Sequence, residues 1–313
     1  MPPVRIDPPD AAAARRQRLA GIALMCTAVA CLTFIDALSK YLVGEMDPLQ
    51  VVWARYTSAF VLAFAVSNPL TRPGLLVTRR PWLQLARSVC MVGGTFLNVT
   101  ALRYLQIDQT LSIIFSTPFL VAALAGPLLG EWIGWRRWLA IAVGFCGVLV
   151  VIRPGFDMHP AALLSLATAV CYAFYGIFTR LLSHTDSNET QLFYGNFVGT
   201  LAMSLVVWAV WTTPPSLWIV TLMVLIGVFG SVGHYLLIAA HQQAPASLIS
   251  PFMYTQLVWA ILLGYLIFRD VPNAWTLAGA GIVIASGLYL LNRERKRHNA
   301  ETARATTESA EPH

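Results

Sequence analysis

Asp36 and Lys40 stand four residues apart in a run of apolar sequence, acid first, the order in which a helix pairs them best. A charge inside such a run costs roughly 2.5–3.5 kcal/mol at a helix centre, so each one asks for a reason. Two readings stand for this pair. It is either a contact for a substrate or a proton, or an intrahelical ion pair that allows both charges to be inserted. Arg55 lies about two turns into the next run, where its guanidinium could take a carboxylate or phosphate with two parallel hydrogen bonds. Asp36, Lys40 and Arg55 fall in the same half of a bilayer and could form one network there. Arg87, about as deep in its run from the other side, has the same chemistry. Either arginine could equally snorkel to its nearer interface, which is the favoured reading for Arg87.

The uncharged polar residues form stripes. Arg87, Met91, Gly94 and Asn98 recur at intervals of 4, 3 and 4, one face of a helix. Gly230, His234 and His241 follow the same pattern. His234 is either a proton shuttle or cargo-stacking ring, or a hydrogen-bonded packing residue. Phe252, Gln256, Trp259 and Leu263 share a face with Tyr254 beside it, an aromatic and amide lining that suits a flat amphipathic molecule. Aromatic residues also fill membrane cores and interfacial belts. Asn196 is a cavity donor or a hydrogen bond between helices. Pro118 and Pro251 fall inside apolar runs, where proline removes a backbone hydrogen bond, so each is a hinge or a fixed kink. Glu131 and Asp270, repeat-related carboxylates at the ends of the fourth and ninth runs, read as groups that cap or anchor a span end.

Other chemistry is excluded by what the chain lacks. Its six histidines are scattered, and its five cysteines have neither CxxC nor Cys/His ligand spacing. No GxxxxGK[ST] loop is present, so ATP does not drive it directly. The expectation is no cofactor, no metal and no enzyme. An integral-membrane enzyme acting on a lipid-linked substrate is the alternative class, and it would gather His, Asp and Glu near one interface.

The elements that must hold these residues follow from composition. Of 313 residues, 57% are hydrophobic and 12% charged, and the mean hydropathy is +0.64. A soluble domain carries roughly 25% charged residues. Lipid must therefore be the solvent. The net charge of +6 does not indicate nucleic acid, because the basic residues sit between apolar runs rather than along one groove.

Ten runs are long enough to span, near 20–42, 49–68, 81–103, 109–130, 136–152, 160–182, 191–212, 217–239, 247–268 and 273–292. The strict alternation of a membrane β-barrel is absent. Arg15, Arg16 and Arg18 before the first run resemble a signal peptide with Ala28-Val29-Ala30 as cleavage site, but the apolar stretch continues to Val43, so it reads as an uncleaved helix. Of the 21 Lys and Arg, fifteen fall on the side of the chain ends and two, Arg55 and Arg87, within runs. Only Lys40, Arg103, Arg153 and Arg269 fall on the opposite side. This bias places both termini in the cytoplasm, with the chain in the plasma or inner membrane.

The chain also reads itself twice. Cys31-Leu32-Thr33-Phe34 recurs as Cys171-Tyr172-Ala173-Phe174, and Gln50 to Tyr56 answers to Gln191 to Phe197. Gly94 falls on Gly233 and Glu131 on Asp270 at one offset, while Lys40 is echoed by Arg180 and Asp36 falls on Gly176. Five spans per copy is an odd number, so the copies lie upside down to each other. The expected fold is an all-α polytopic membrane protein of ten transmembrane helices in two inverted five-helix repeats. The division is a tail at 1–19, repeats at 20–152 and 160–292, and a basic, disordered tail at 293–313.

With Ser116-Thr117-Pro118, Gly130-Glu131, Arg153-Pro154-Gly155, Ala244-Pro245-Ala246-Ser247 and Gln256-Leu257-Val258-Trp259 in this order, the chain resembles the drug/metabolite transporter superfamily, specifically its EamA-type members. The resemblance spans roughly residues 20 to 292. It implies a central cavity built from spans one to four and six to nine, with five and ten set apart. It also implies a secondary transporter moving a small organic metabolite, amphipathic or aromatic, by alternating access. Riboflavin- or nucleoside-like uptake and amino-acid or drug export are both compatible with it, and so are a monomer and a dimer.

Overall fold

A computed structural model describes residues 11–66, 77–129, 134–154, 158–183, 185–244 and 246–308, and among these there is helix but no strand. In chain order the helices are α1 (Ala11–Leu42), α2 (Pro48–Val66), α3 (Pro81–Leu102), α4 (Ile107–Ile114), α5 (Thr117–Leu129) and α6 (Trp135–Ile152). The second half supplies α7 (Ala161–Leu182), α8 (Asn188–Val206), α9 (Leu217–Gln243), α10 (Ala246–Ile249), α11 (Thr255–Leu263) and α12 (Ala274–Glu308). Among the described residues, 9 helical stretches are long and apolar enough to cross a membrane, with α4 and α5 counted as one. With 19 residues, α2 is about 28 Å long and makes the tenth crossing.

Local chemistry sets the helix ends. Asp47 accepts from the backbone N–H of Leu49 just ahead of Pro48, a proline at the first helical position where no N–H is missed. Ser187 caps α8 by accepting from the N–H of Thr190, and Asn273 caps α12 by accepting from that of Thr276. Arg153 after α6 and Arg269 after α11 take left-handed backbone, the conformation that commonly closes a helix.

Two spans are broken. The fourth divides at Phe115 and Ser116, and Pro118 sits in the first turn of α5 rather than inside a continuous helix. The ninth begins as α10, passes through a 3-10 turn at Ser250–Tyr254 containing Pro251, continues as α11 and ends in a wider π-type turn at Gly264–Phe268. Both prolines therefore mark joints between segments. The last helix runs through the basic collar to Glu308, where composition leads one to expect disorder. The Ala, Arg, Glu and Lys of that segment are all strong helix formers.

Packing follows the repeat. α1 lies along α9 and α3 lies along α7, and these two pairs exchange when the copies are swapped. Their seams match in detail. A Cβ placed on Gly94 would lie 3.1 Å from the Cβ of Cys171, and one placed on Gly233 would lie 3.2 Å from that of Cys31. The residues that spell the repeat are thus the ones on which the copies touch. Phe115 and Tyr254, equivalent at the same offset, meet each other edge to face at 5.1 Å. α6 and α12 pair with each other to one side, where Gly147 and Gly279 allow each backbone to approach the other's carbonyl.

Candidate functional site

Between α2, α8 and α9, with Met91 of α3 at the back, lies a cavity of about 800 Å³. Its mouth is formed by Ser187, Asn188 and Glu189 at the start of α8, Gln242 at the end of α9, and Leu62 and Ala63 late in α2. All these positions lie on the face where α1 begins and α12 ends. The wall is mostly apolar, with Tyr56, Phe193 and Tyr235 as its aromatic members. A few polar groups break it: Arg55, Asn196, Ser231 and His234. Large, mostly apolar concavities with a few convergent polar groups are the usual form of small-molecule sites.

The polar groups come from both repeats. Arg55 extends from α2 in the first copy, while its equivalent Asn196 reaches the same space from α8. Neither a salt bridge nor a hydrogen bond engages the Arg55 guanidinium among the described residues, where the ion pair closer than 4.0 Å is Lys40–Asp270. Beside Arg55, Tyr56 is fixed by a 2.9 Å hydrogen bond with the Thr95 hydroxyl and a 3.3 Å bond to the Met91 carbonyl.

Asp36 does not pair with Lys40. It accepts a hydrogen bond of 3.1 Å from the Asn98 amide and has no cation within salt-bridge distance. The other end of that amide, Asn98 Oδ1, is buried and has no partner. Lys40 instead reaches across to the second repeat, placing Nζ 2.9 Å from Asp270 Oδ2 and 2.8 Å from the Leu105 carbonyl. The i,i+4 geometry offers the Asp36–Lys40 contact, but Asp270 and a backbone carbonyl together satisfy more of the ammonium's donors. Of the two roles, cap or anchor, the contact of Asp270 with Lys40 is that of an anchor. Its repeat equivalent, Glu131, lies outside the described residues.

Arg87 does not snorkel. It is 2% exposed and gives hydrogen bonds to Thr179 Oγ1 at 2.9 Å, the Gln191 carbonyl at 2.8 Å and the Tyr175 hydroxyl at 3.0 Å. Its guanidinium also lies over the Tyr175 ring. Each partner belongs to the second copy, so Arg87 ties the repeats together.

Tyr254, Gln256 and Trp259 do not line the cavity. The Tyr254 ring packs on Phe115, and Trp259 packs against the buried cluster of Met25, Val29, Ala240, Ala244 and Ile249. The stripe on the ninth span is therefore turned toward neighbouring helices. Sequence reasoning passed over Tyr56, Glu189, Phe193, Ser231 and Tyr235. Of these, Tyr56 and Phe193 lay within reach of it, since they flank the repeat-equivalent pair Arg55 and Asn196.

Comparison with known proteins agrees with this architecture. A family profile described as the EamA-like transporter family matches residues 19–153 and again 159–293. An S-adenosylmethionine uptake transporter of Rickettsia conorii is 29% identical over 267 residues, covering 84% of this chain and 90% of the relative. A riboflavin transporter of Vibrio cholerae is 26% identical over 287 residues, covering 90% and 96%. A solved structure with 17% identity superimposes with a TM-score of 0.60, covering 89% of this chain and 98% of its own, and so shares the fold. The enzyme alternative finds no support among these proteins.

Proposed function

The chain belongs to the EamA-like transporter family, and on that premise we propose that its cargo carries a carboxylate, an amine and a flat ring. The observation that carries this reading is the state of Arg55, a guanidinium without an ion-pair partner on the wall of a largely apolar cavity. A half-buried charge on an apolar wall gains from a counter-charge brought by the cargo. A cargo carboxylate supplies the missing partner with two parallel hydrogen bonds.

Asp36 is the opposite case, a carboxylate held by one amide and without a cation. Neither Asp36 nor Asn98 lines the cavity, so in this reading an ammonium group on the cargo meets Asp36 only as the helices shift, with Asn98 orienting it. Tyr56, Phe193 and Tyr235 offer faces for a flat ring, with Asn196, Ser231 and His234 to pair with its polar edge. Among the relatives, the S-adenosylmethionine transporter is named for a molecule with all three features. The riboflavin transporters are named for a flat ring that lacks the amine and carboxylate.

In this reading the chain lies in the inner membrane with both ends in the cytoplasm, so the cavity faces the cytoplasm. The joints at Pro118 and Pro251 are where the two spans flex as access alternates.

The test is uptake of radiolabelled S-adenosylmethionine into proteoliposomes, with riboflavin and unlabelled methionine as competitors. Wild-type protein should take up label, and methionine should compete better than riboflavin. Arg55→Ala should lower uptake by about ten- to a hundredfold, since a hydrogen bond to a charged group contributes about 1.5–3 kcal/mol. Competition by riboflavin alone, or full uptake in Arg55→Ala, would discard the zwitterionic cargo.

A further inference from the structure

At the end of the bundle opposite Ser187, Asn188 and Glu189, contacts join the two repeats. Gln50 at the start of α2 exchanges hydrogen bonds with the backbone of Thr212, beyond α8, at 2.7 and 3.1 Å. Trp53 donates to Ser204 at 2.9 Å and meets Trp211 edge to face. Close to them, Lys40 in the last turn of α1 holds Asp270, which follows the end of the ninth span.

The Lys40–Asp270 pair differs from a surface ion pair. Its two side chains are 16% and 22% exposed. The ammonium has three directed partners: Asp270, the Leu105 carbonyl in the turn between α3 and α4, and the Phe268 ring beneath it at 5.2 Å. The acid is aimed by an unusual helix end. The π-type turn Gly264–Phe268 is followed by Arg269 at φ 58°, and the Asp270 N–H bonds back to the Gly264 carbonyl at 3.1 Å. A left-handed non-glycine residue costs of order 1 kcal/mol or more, so this end is held in place by what it contacts. In the sequence each charge has a counterpart in the other copy, Lys40 in Arg180 and Asp270 in Glu131.

We propose that Lys40 and Asp270 form the latch that keeps the face opposite the cavity mouth closed, and that their separation is required for the cavity to open there. The pair ties α1, the α3–α4 turn and the end of the ninth span at one point. Opening this face must draw α1 away from α11, and no other element joins these three segments by an ion pair among the described residues. The latch is reversible because water solvates both charges once they part, offsetting much of the lost attraction.

A cysteine reporter tests the latch without any cargo, so its outcome is independent of the reading of Arg55. With the five native cysteines replaced by alanine, a cysteine is placed at Ala101, which is fully buried at the end of α3 beside this face. A second cysteine, at fully buried Ala169 on α7, monitors general loosening. A charged maleimide should label Ala101→Cys about five- to tenfold faster when Lys40→Met or Asp270→Asn is present, a coupling of ordinary size. Ala169→Cys should stay protected, and the exchange Lys40→Asp with Asp270→Lys should restore protection at Ala101→Cys. Unchanged labelling in both single variants, parallel labelling at the two reporters, or no recovery on charge exchange would overturn the proposal.

Discussion

Arg55 and Arg87 have the same side chain inside the same membrane, and their surroundings give them opposite uses. Arg87 is saturated by three hydrogen bonds and a ring, all from the other repeat. Arg55 faces open space. Removing Arg87 strands the polar groups that it now satisfies, and a buried polar group left without its partner costs about 1–3 kcal/mol. Arg87→Ala should therefore lower the melting temperature of detergent-purified protein by several degrees, whereas Arg55→Ala should leave it within about a degree of wild type. Equal melting temperatures for the two variants would contradict this division. Asp36 and Lys40 carry the same lesson. Spacing of four residues made them neighbours on one helix, yet each found its partner on another.

Helix seams are set by small residues, and two adjacent glycines allow the point to be tested. Gly94 faces α7, where an added Cβ would come within 2.7 Å of the Tyr172 ring, while one on Gly93 would meet nothing within 4 Å. Gly94→Leu should destabilise the protein by about 1–3 kcal/mol through overpacking. Gly93→Leu should be neutral or slightly stabilising, because leucine is the better helix former. Thermal melts of the two variants in one detergent decide the matter, and equal loss in both would remove the seam argument. Breaks at the fourth and ninth spans belong to this level as well. Their prolines were legible, but the placing of each break was not, because a proline near a helix start and one within it look alike in sequence.

Ten crossings in two inverted copies require the chain to begin and end on the same side. Impermeant labelling of single cysteines at residues 2 and 312 in right-side-out vesicles should leave both unmodified until the membrane is permeabilised. Modification of one and not the other would refute an even number of crossings. The same inversion accounts for the exchange of α1–α9 for α3–α7 and for the pairing of α6 with α12 apart from the rest.

Composition, run length and self-similarity suffice for the helices, their number and their inverted arrangement, because bilayer thickness and backbone hydrogen bonding leave the chain few alternatives. The repeat-equivalent pair Arg55 and Asn196 was legible too, since duplication marks the two positions and the bilayer penalises the charge. Rotation of each helix about its axis was not. A polar stripe such as Tyr254, Gln256 and Trp259 has the same periodicity whether it faces a cavity or a neighbour. Partner choice was equally hidden: Lys40 chose Asp270 over the nearer Asp36, and only folding brings residues 230 positions apart to within 2.9 Å. Local spacing proposes contacts, but the three-dimensional competition for each donor decides among them.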